Sequence, residues 1–280
     1  MEYALPIAYA LVLWWFATGV IFFLDQLPVR TFKWSMAGGT ALLAATLWVV
    51  WAERDDSTLF AVYASFTAGV LAWGWQELSL YTGFVTGPRK QSCAAGCSGW
   101  RHFGHALGVN LWHEIAIVAV ALAIWGLCGK AVNNWGLCAY LLLWAMHLSA
   151  RLNVFLGVRN VSEEFVPAHM AVLKSFLTRK SMNLLFPFSV TAATIGAVLL
   201  FQQAFSADLE AERAGWSLLA ALAALAVFEH WMLMLPVPVE KLWKWSLPVH
   251  QDVAKSRNPN SPTFDYTPLN ATLRSAPDGL

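Results

Sequence analysis

Acidic, amide and imidazole side chains interrupt four of the most apolar stretches of this 280-residue chain. An ionisable residue inside a bilayer costs ~2.5–3.5 kcal/mol on insertion scales, so such residues usually mark functional sites. The side chains in question are those of Gln76, Glu77, His113, Glu114, His147, Arg151, Asn153, Glu229 and His230. At 1.5 Å per residue, three of them (His113, His147 and Glu229) lie roughly 9–14 Å above the inner membrane boundary. We therefore predict a buried polar site that opens toward the cytoplasmic leaflet.

Two kinds of cofactor suit these residue types. Imidazole and carboxylate groups from separate helices are ligands for a transition metal such as iron. The candidate metal ligands are Glu77, His113, Glu114, His147 and His169. A single membrane histidine can instead bind the magnesium of bacteriochlorophyll or a precursor, and the candidate residues for such a cofactor are Glu77, His113, Glu114, His147, Arg151 and Asn153. The Glu-x-x-His pair typical of di-iron carboxylate bundles is missing, so the sequence does not decide between the two cofactors.

Simpler structural roles stay open for the same residues. Glu77 can pair with Arg151 or with a histidine to close a helix bundle, and His113 and Glu114 can also have a structural pairing role.

The four cysteines give weak evidence of function. Cys93 and Cys97 lie in a CAAGC loop whose spacing differs from the usual Cys-x-x-Cys metal or redox pair, so thiols are expected there. Cys128 and Cys138 flank a short loop, where they can form a disulfide in an oxidising compartment or serve as small apolar side chains.

Composition defines the elements that must position these groups. The chain is 58% hydrophobic and 12% charged, whereas a soluble domain has roughly 25% charged residues. Its net charge of +1 argues against a nucleic-acid partner and leaves the lipid bilayer as the expected surroundings. Seven apolar segments are long enough to cross a ~30 Å hydrocarbon core, at residues 4–24, 34–51, 59–81, 105–127, 135–156, 184–205 and 216–235. The predicted fold is therefore all-α, a polytopic membrane protein with seven transmembrane helices.

The distribution of lysine and arginine predicts the orientation. With the amino terminus in the periplasm, fifteen of the 18 basic residues fall on the cytoplasmic side, and only Arg54, Lys130 and Arg213 fall outside. The carboxyl terminus is then cytoplasmic. We expect a transmembrane domain over residues 1–240, with an amphipathic helix at residues 170–180 on the membrane surface. The polar, proline-rich residues 241–280 lack the apolar density to fold alone and are expected to be largely disordered.

Three stretches of this sequence resemble one known family. They are WQELSLYTGFVTGPR (75–89), HALGVNLWHEIAI (105–117) and MHLSARLNVFLGVRNVSEEFVPAHM (146–170). Together they are similar to the photosynthetic complex assembly protein family PuhE of purple and related phototrophic bacteria. The resemblance implies a multi-pass protein of the bacterial inner membrane that helps assemble the reaction centre and core antenna, or supplies them with bacteriochlorophyll. Its implied partners are reaction-centre or core-antenna subunits and other assembly factors. The resemblance assigns no residue roles.

Three functions remain open from the sequence. The first is an assembly factor whose polar cluster holds bacteriochlorophyll or a precursor through His113 or His147. The second is a membrane metal-dependent oxidoreductase that acts on a tetrapyrrole or another lipid-soluble substrate, with Arg151 binding a substrate carboxylate. The third is a proton or solute transporter that uses Glu77 and Glu114. The chain shows no internal repeat, which disfavours the transporter, and no enzyme motif, so we favour the assembly factor.

Overall fold

The computed structural model describes residues 2–94, 96–161, 166–235, 242, 243 and 245 of the chain. Within those residues it contains seven long helices and no strand beyond one isolated bridge. The helices are α1 (Ala4–Asp25), α2 (Phe32–Ala52), α3 (Leu59–Tyr81), α4 (Gly99–Cys128), α5 (Trp135–Leu156), α6 (Leu185–Ser206) and α7 (Glu210–Met232). Six of them, all except α3, have the length and hydropathy to cross a membrane. The prediction of an all-helical, multi-pass membrane protein is therefore confirmed.

Helix α3 lies at the centre of the bundle, in contact with α1, α2, α4, α5 and α7. Its glycines, its serines and the polar pair Gln76 and Glu77 lower its mean hydropathy. A helix surrounded by other helices tolerates such residues, because it needs no continuous lipid-facing surface. Its closest neighbour is α5. At that crossing a Cβ on Gly69 would collide with the backbone of Gly136, and Gly136 N donates to Ser65 Oγ at 3.0 Å. Two small residues thus bring α3 and α5 into backbone contact.

Two helices begin earlier than their apolar segments do. Helix α4 begins at Gly99 rather than at residue 105, so His102 and His105 form part of its first turns. Helix α7 runs over Glu210–Met232 rather than residues 216–235. Its first turn carries Glu210 and Glu212, which interact favourably with the positive end of the helix dipole. Helical hydrogen bonding continues beyond the apolar window in both cases, because the polar residues there are compatible with a helix in water.

The connection between α5 and α6 differs from the predicted surface helix over residues 170–180. It contains a 3₁₀ helix, Ala168–Phe176, with a kink at Met170 (φ −104°, ψ 21°). The chain then becomes extended, and Val158 pairs with it on both sides. Val158 N donates to Thr178 O and Lys180 N donates to Val158 O, each at 3.0 Å. Thr178 O and Lys180 N therefore form hydrogen bonds with Val158 and not with residues of a continued helix.

Most of the segment 241–280, for which disorder was expected, lies outside the described residues. The described part of it contacts α1. Trp243 is buried and its Nε1 donates to Trp15 O at 3.1 Å, while Trp15 Nε1 donates to Leu242 O at 3.1 Å. The ring of Trp245 stacks on Phe16 with centroids 6.2 Å apart. The beginning of this segment is therefore packed against the membrane domain.

Candidate functional site

Four of the predicted site residues form a continuous polar chain across α3, α5 and α4. Glu77 Oε1 lies 3.2 Å from His147 Nδ1, which is an ion-pair distance although the contact lacks the alignment of a hydrogen bond. On the other side of the imidazole, Arg151 Nη2 donates to His147 Nε2 at 2.6 Å. Arg151 Nη1 then pairs with Glu114 Oε1. The order of groups is therefore Glu77, His147, Arg151 and Glu114.

This arrangement determines the protonation pattern of His147. A guanidinium group can only donate, so His147 Nε2 must accept, and the proton of the neutral imidazole lies on Nδ1, facing Glu77. Both ring nitrogens of His147 are thus engaged with protein groups. As the side chains are arranged, His147 has no nitrogen available as an axial ligand for magnesium or iron.

His113 is in the opposite situation. Its side chain is wholly buried, and neither ring nitrogen has a hydrogen-bond partner among the described residues. The ring lies against that of His147, with centroids 6.4 Å apart. Buried polar groups in proteins are nearly always bonded, so this unpaired imidazole distinguishes His113 from the other predicted site residues.

A non-helical segment after α3 covers His113. Thr86 O accepts from His113 N at 2.9 Å, and Arg89 N donates to Gly108 O at 3.1 Å, so this segment runs along α4. Gly87 makes the close approach feasible, because a Cβ there would collide with the backbone of Gly108 and Val109. Sequence reasoning missed this contact. The two glycines of the segment TGFVTGPR were the available signal.

A cavity of about 220 Å³ lies between α1, α3, α5 and α7. Its polar groups are those of Glu77, His147, Tyr81, Glu229 and Thr18. The other lining side chains are apolar or small, and the aromatic ones are Trp14, Phe22 and Trp73. The cavity is thus an apolar space with two carboxyl groups, and one of its walls is an end of the polar chain.

Other predicted site residues lie apart from this cluster. Asn153 joins α5 to α6, since its Nδ2 donates to Ser149 O and to Ser189 Oγ, both at 2.9 Å. His169 is exposed, and its Nε2 donates to Tyr81 O at 2.7 Å. His230 Nδ1 donates to Ala226 O at 2.8 Å and its Nε2 accepts from Ser149 Oγ at 2.9 Å. The polar contacts of these three residues join helices or loops to one another.

Two buried polar features were not anticipated. Asp25 is 2% exposed, and neither carboxyl oxygen has a hydrogen-bond partner among the described residues. It directly follows the apolar segment 4–24 and is the last residue of α1. In addition, Gln76 Nε2 donates to Tyr140 Oη at 2.8 Å, and Tyr140 Oη donates to Ile117 O at 3.1 Å. This second chain also connects α3, α5 and α4, and its Tyr140 lies seven residues before His147 on α5.

The predicted metal ligands do not converge on a common point. Among the described residues, none of the five belongs to a group of three whose ligand atoms are close enough to share an ion. The five are Glu77, His113, Glu114, His147 and His169. Arg151 explains this for the central members, because its guanidinium occupies Glu114 and His147 and places a positive charge between them. Cys128 and Cys138, for which a disulfide was left open, are both free thiols.

Comparison with known proteins identifies relatives but no described activity. A family model described as protein of unknown function (DUF3623) matches residues 1–254. An "uncharacterized 30.4 kDa protein in puhA 5'region" of Rhodobacter capsulatus is 34% identical over 247 residues, which cover 87% of this chain and 90% of that protein. No solved structure matches the chain. The match to the family model extends from α1 through α7 and the Trp243–Trp245 region, and the chain therefore belongs to the DUF3623 family.

Proposed function

We propose that this protein is a membrane assembly factor for the photosynthetic reaction-centre and core-antenna complex, and that its cavity binds bacteriochlorophyll or a precursor. The relative from Rhodobacter capsulatus is described as lying in the puhA 5' region, which suggests a link to the genes of photosynthetic complexes. The similarity of residues 75–89, 105–117 and 146–170 to the PuhE family supports the same context. The partners are then reaction-centre or core-antenna subunits and other assembly factors.

The topology that accompanies this proposal has seven transmembrane helices in the bacterial inner membrane, with the amino terminus periplasmic and the carboxyl terminus cytoplasmic. Helix α3 would complete the count. Its 23 residues give a length of roughly 34 Å, and its neighbours all have the length and hydropathy to cross a membrane. The bias of lysine and arginine toward the cytoplasmic side supports the orientation. The cavity then lies in the cytoplasmic half of the bundle.

The observation that carries the function is the chemistry of the cavity. Trp14, Phe22 and Trp73 offer flat apolar surfaces for a large ring or a hydrocarbon tail. Glu77 and Glu229 can contact the polar substituents at the edge of such a ligand. The volume of about 220 Å³ is below the ~300–1,000 Å³ of typical ligand pockets. The cavity therefore receives one part of the pigment, and the remainder lies outside it.

This binding mode modifies the expectation that His113 or His147 ligates magnesium. His147 Nε2 is occupied by Arg151, and His113 is not among the residues that line the cavity. Recognition of the periphery of the pigment by carboxyl groups fits the arrangement better than axial ligation. It also suits a carrier, because a ligand held without a metal bond is released to an acceptor protein more readily.

The oxidoreductase alternative finds less support. Its candidate ligands are Glu77, His113, Glu114, His147 and His169. Arg151 lies between Glu114 and His147 and pairs with both. A guanidinium within hydrogen-bond distance of two prospective ligands repels a cation at that place.

Filling the cavity tests the proposal. Gly74 lines the cavity, and a Cβ there meets Ile21 Cδ1 at 3.6 Å, an ordinary contact, so Gly74→Leu should fold and extend into the space. Gly126→Leu is the matched control, because a Cβ on Gly126 of α4 meets nothing within 4 Å. Each protein is purified in mild detergent from a phototrophic host lacking the native gene, and its absorption spectrum gives pigment per protein.

We expect about one equivalent of bacteriochlorophyll or precursor with the wild type and with Gly126→Leu. Gly74→Leu should bind the pigment at least tenfold more weakly, a loss of about 1.4 kcal/mol or more, and should co-purify with clearly less pigment per protein. Membranes of the Gly74→Leu strain should also contain less reaction-centre absorption. A wild-type protein without pigment, or equal pigment in both variants, would overturn the assignment of the cavity.

A further inference from the structure

Four side chains that sequence reasoning treated as unrelated meet where the chain enters α4. Cys93 and Cys97 come from the preceding loop, and His102 and His105 from the first turns of α4. Cys93 Sγ lies 3.1 Å from His102 Nδ1 and 3.3 Å from His105 Nδ1, and Cys97 Sγ lies 3.4 Å from His105 Nδ1. The ligand atoms of Cys93, Cys97 and His102 are all within 4.8 Å of one another. All four side chains are half-buried.

These distances match the edges of a small tetrahedron. With Zn–S of about 2.3 Å and Zn–N of about 2.0–2.1 Å, a tetrahedral site places sulfur and nitrogen ligands about 3.5 Å apart. The three sulfur-to-nitrogen distances of 3.1, 3.3 and 3.4 Å are only slightly shorter. These three edges need to lengthen by only a few tenths of an ångström to accept an ion at the centre. We propose that Cys93, Cys97, His102 and His105 bind a divalent metal ion of the zinc type.

Local structure explains why the four donors meet. His102 and His105 are three residues apart on α4 and therefore lie on the same helical face. Gly96, directly before Cys97, has φ of 81°, a left-handed conformation that glycine adopts without strain. The pattern is thus Cys-x₃-Cys-x₄-His-x₂-His. Its cysteine spacing falls within the range of structural zinc sites, while its histidine spacing is shorter because both imidazoles come from adjacent turns.

Neighbouring elements hold the donors in place. The ring of His102 stacks on Phe155 of α5 with centroids 5.2 Å apart, and it also packs against Phe176 at 5.3 Å. Cys93 N donates to Ser175 Oγ at 3.2 Å. Phe176 and Ser175 belong to the 3₁₀ helix Ala168–Phe176. A bound ion would therefore join the loop before α4, α4 itself, α5 and the 3₁₀ helix at one end of the bundle.

The donor set selects the class of metal. Two thiolates with two imidazoles in a tetrahedral arrangement favour Zn²⁺, and they disfavour Mg²⁺ and Ca²⁺, which prefer oxygen ligands. Four protein donors leave no open position, so the site is structural rather than catalytic. The proposal is independent of the function assigned to the cavity, because it shares no residue with the cavity.

Metal binding to the purified full-length protein tests the site directly. The protein is prepared in mild detergent with a phosphine reductant and without a chelator. Its zinc content is measured, and it is then stripped of metal and titrated with Co²⁺, whose tetrahedral thiolate complexes have intense d–d and charge-transfer absorption. The disrupting variants are Cys97→Ser and His105→Gln. Cys138→Ser and His169→Gln are matched controls, since they remove the same residue types outside the cluster.

We expect about one equivalent of zinc and a tetrahedral thiolate spectrum for the wild type and both controls. Cys97→Ser and His105→Gln should bind Co²⁺ at least tenfold more weakly, since second-shell changes alone cost 10–100-fold at such sites. Size-exclusion chromatography establishes that each variant is folded. A weak octahedral Co²⁺ spectrum, binding that both disrupting variants retain, or free thiols that bind no metal would each refute the site.

Discussion

Arg151 connects two acceptors, so its removal should be far more costly than the loss of an ordinary arginine. In the structure it pairs with Glu114 and donates to His147 Nε2. Replacement by methionine keeps most of the apolar stem and removes only the guanidinium. The Arg151→Met variant then has an unpaired carboxylate on α4 and an imidazole acceptor without a donor on α5.

The magnitude follows from the burial of the pair. The side chains of Arg151 and Glu114 are 25% and 22% exposed. Removing one member of a buried ion pair costs about 3–5 kcal/mol, because the other charge remains without compensation. The lost charge-assisted bond to His147 belongs to the same network and does not add in full. We therefore expect Arg151→Met to lower the free energy of unfolding by about 3–5 kcal/mol.

The free energy of unfolding is measured by titrating the detergent-solubilised protein with sodium dodecyl sulfate and following its helicity by circular dichroism. Arg54→Met is the control, because Arg54 pairs with Asp55 at the surface and the two side chains are 36% and 75% exposed. Such pairs contribute about 0–1 kcal/mol. The double variant Arg151→Met with Glu114→Gln removes the uncompensated charge and should recover at least about 2 kcal/mol of the loss.

Two results would contradict this reasoning. If Arg151→Met is no less stable than Arg54→Met, the polar chain carries no net stabilisation and Glu114 has another partner. If the double variant is as unstable as the single one, the loss arises from packing of the arginine stem rather than from an unpaired carboxylate. The comparison thus separates electrostatic and steric contributions at one position.

The crossing of α3 and α5 and the membrane topology give two further predictions. Gly69→Ala places a Cβ against the backbone of Gly136 and should cost about 1–3 kcal/mol in the same assay. Gly126→Ala should be neutral or slightly stabilising, because it meets open space and alanine has the higher helix propensity. Equal stability of the two variants would exclude a tight crossing. Alkaline phosphatase, active only in the periplasm, should be active when fused after Lys130 and inactive after Met182. The opposite pattern would mean that α3 does not span or that the amino terminus is cytoplasmic.

Helices were accessible from the sequence because long apolar runs determine them locally. The pairing of side chains from different helices was harder to predict. Glu77, His147, Arg151 and Glu114 were all identified, since ionisable residues in apolar segments are conspicuous. Which of them pair was undetermined, because that depends on the rotation of each helix about its axis. The contact between Cys93 and His102 was missed for a related reason. It depends on the path of the loop before α4, and the sequence does not determine that path.

Two polar centres on α4 are mechanically connected. His105 and His113 are eight residues apart, or about 12 Å along the helix axis, and the segment that leads to Cys93 runs beside that stretch. Its backbone is bonded to α4 at two points, Arg89 N to Gly108 O and Thr86 O to His113 N. An ion at the cysteine–histidine cluster would fix the far end of this segment. It would thereby hold in place the segment that covers the buried side chain of His113. Loss of the ion should therefore increase hydrogen exchange at His113 N before it affects the interior of α3, because only the former depends on the segment.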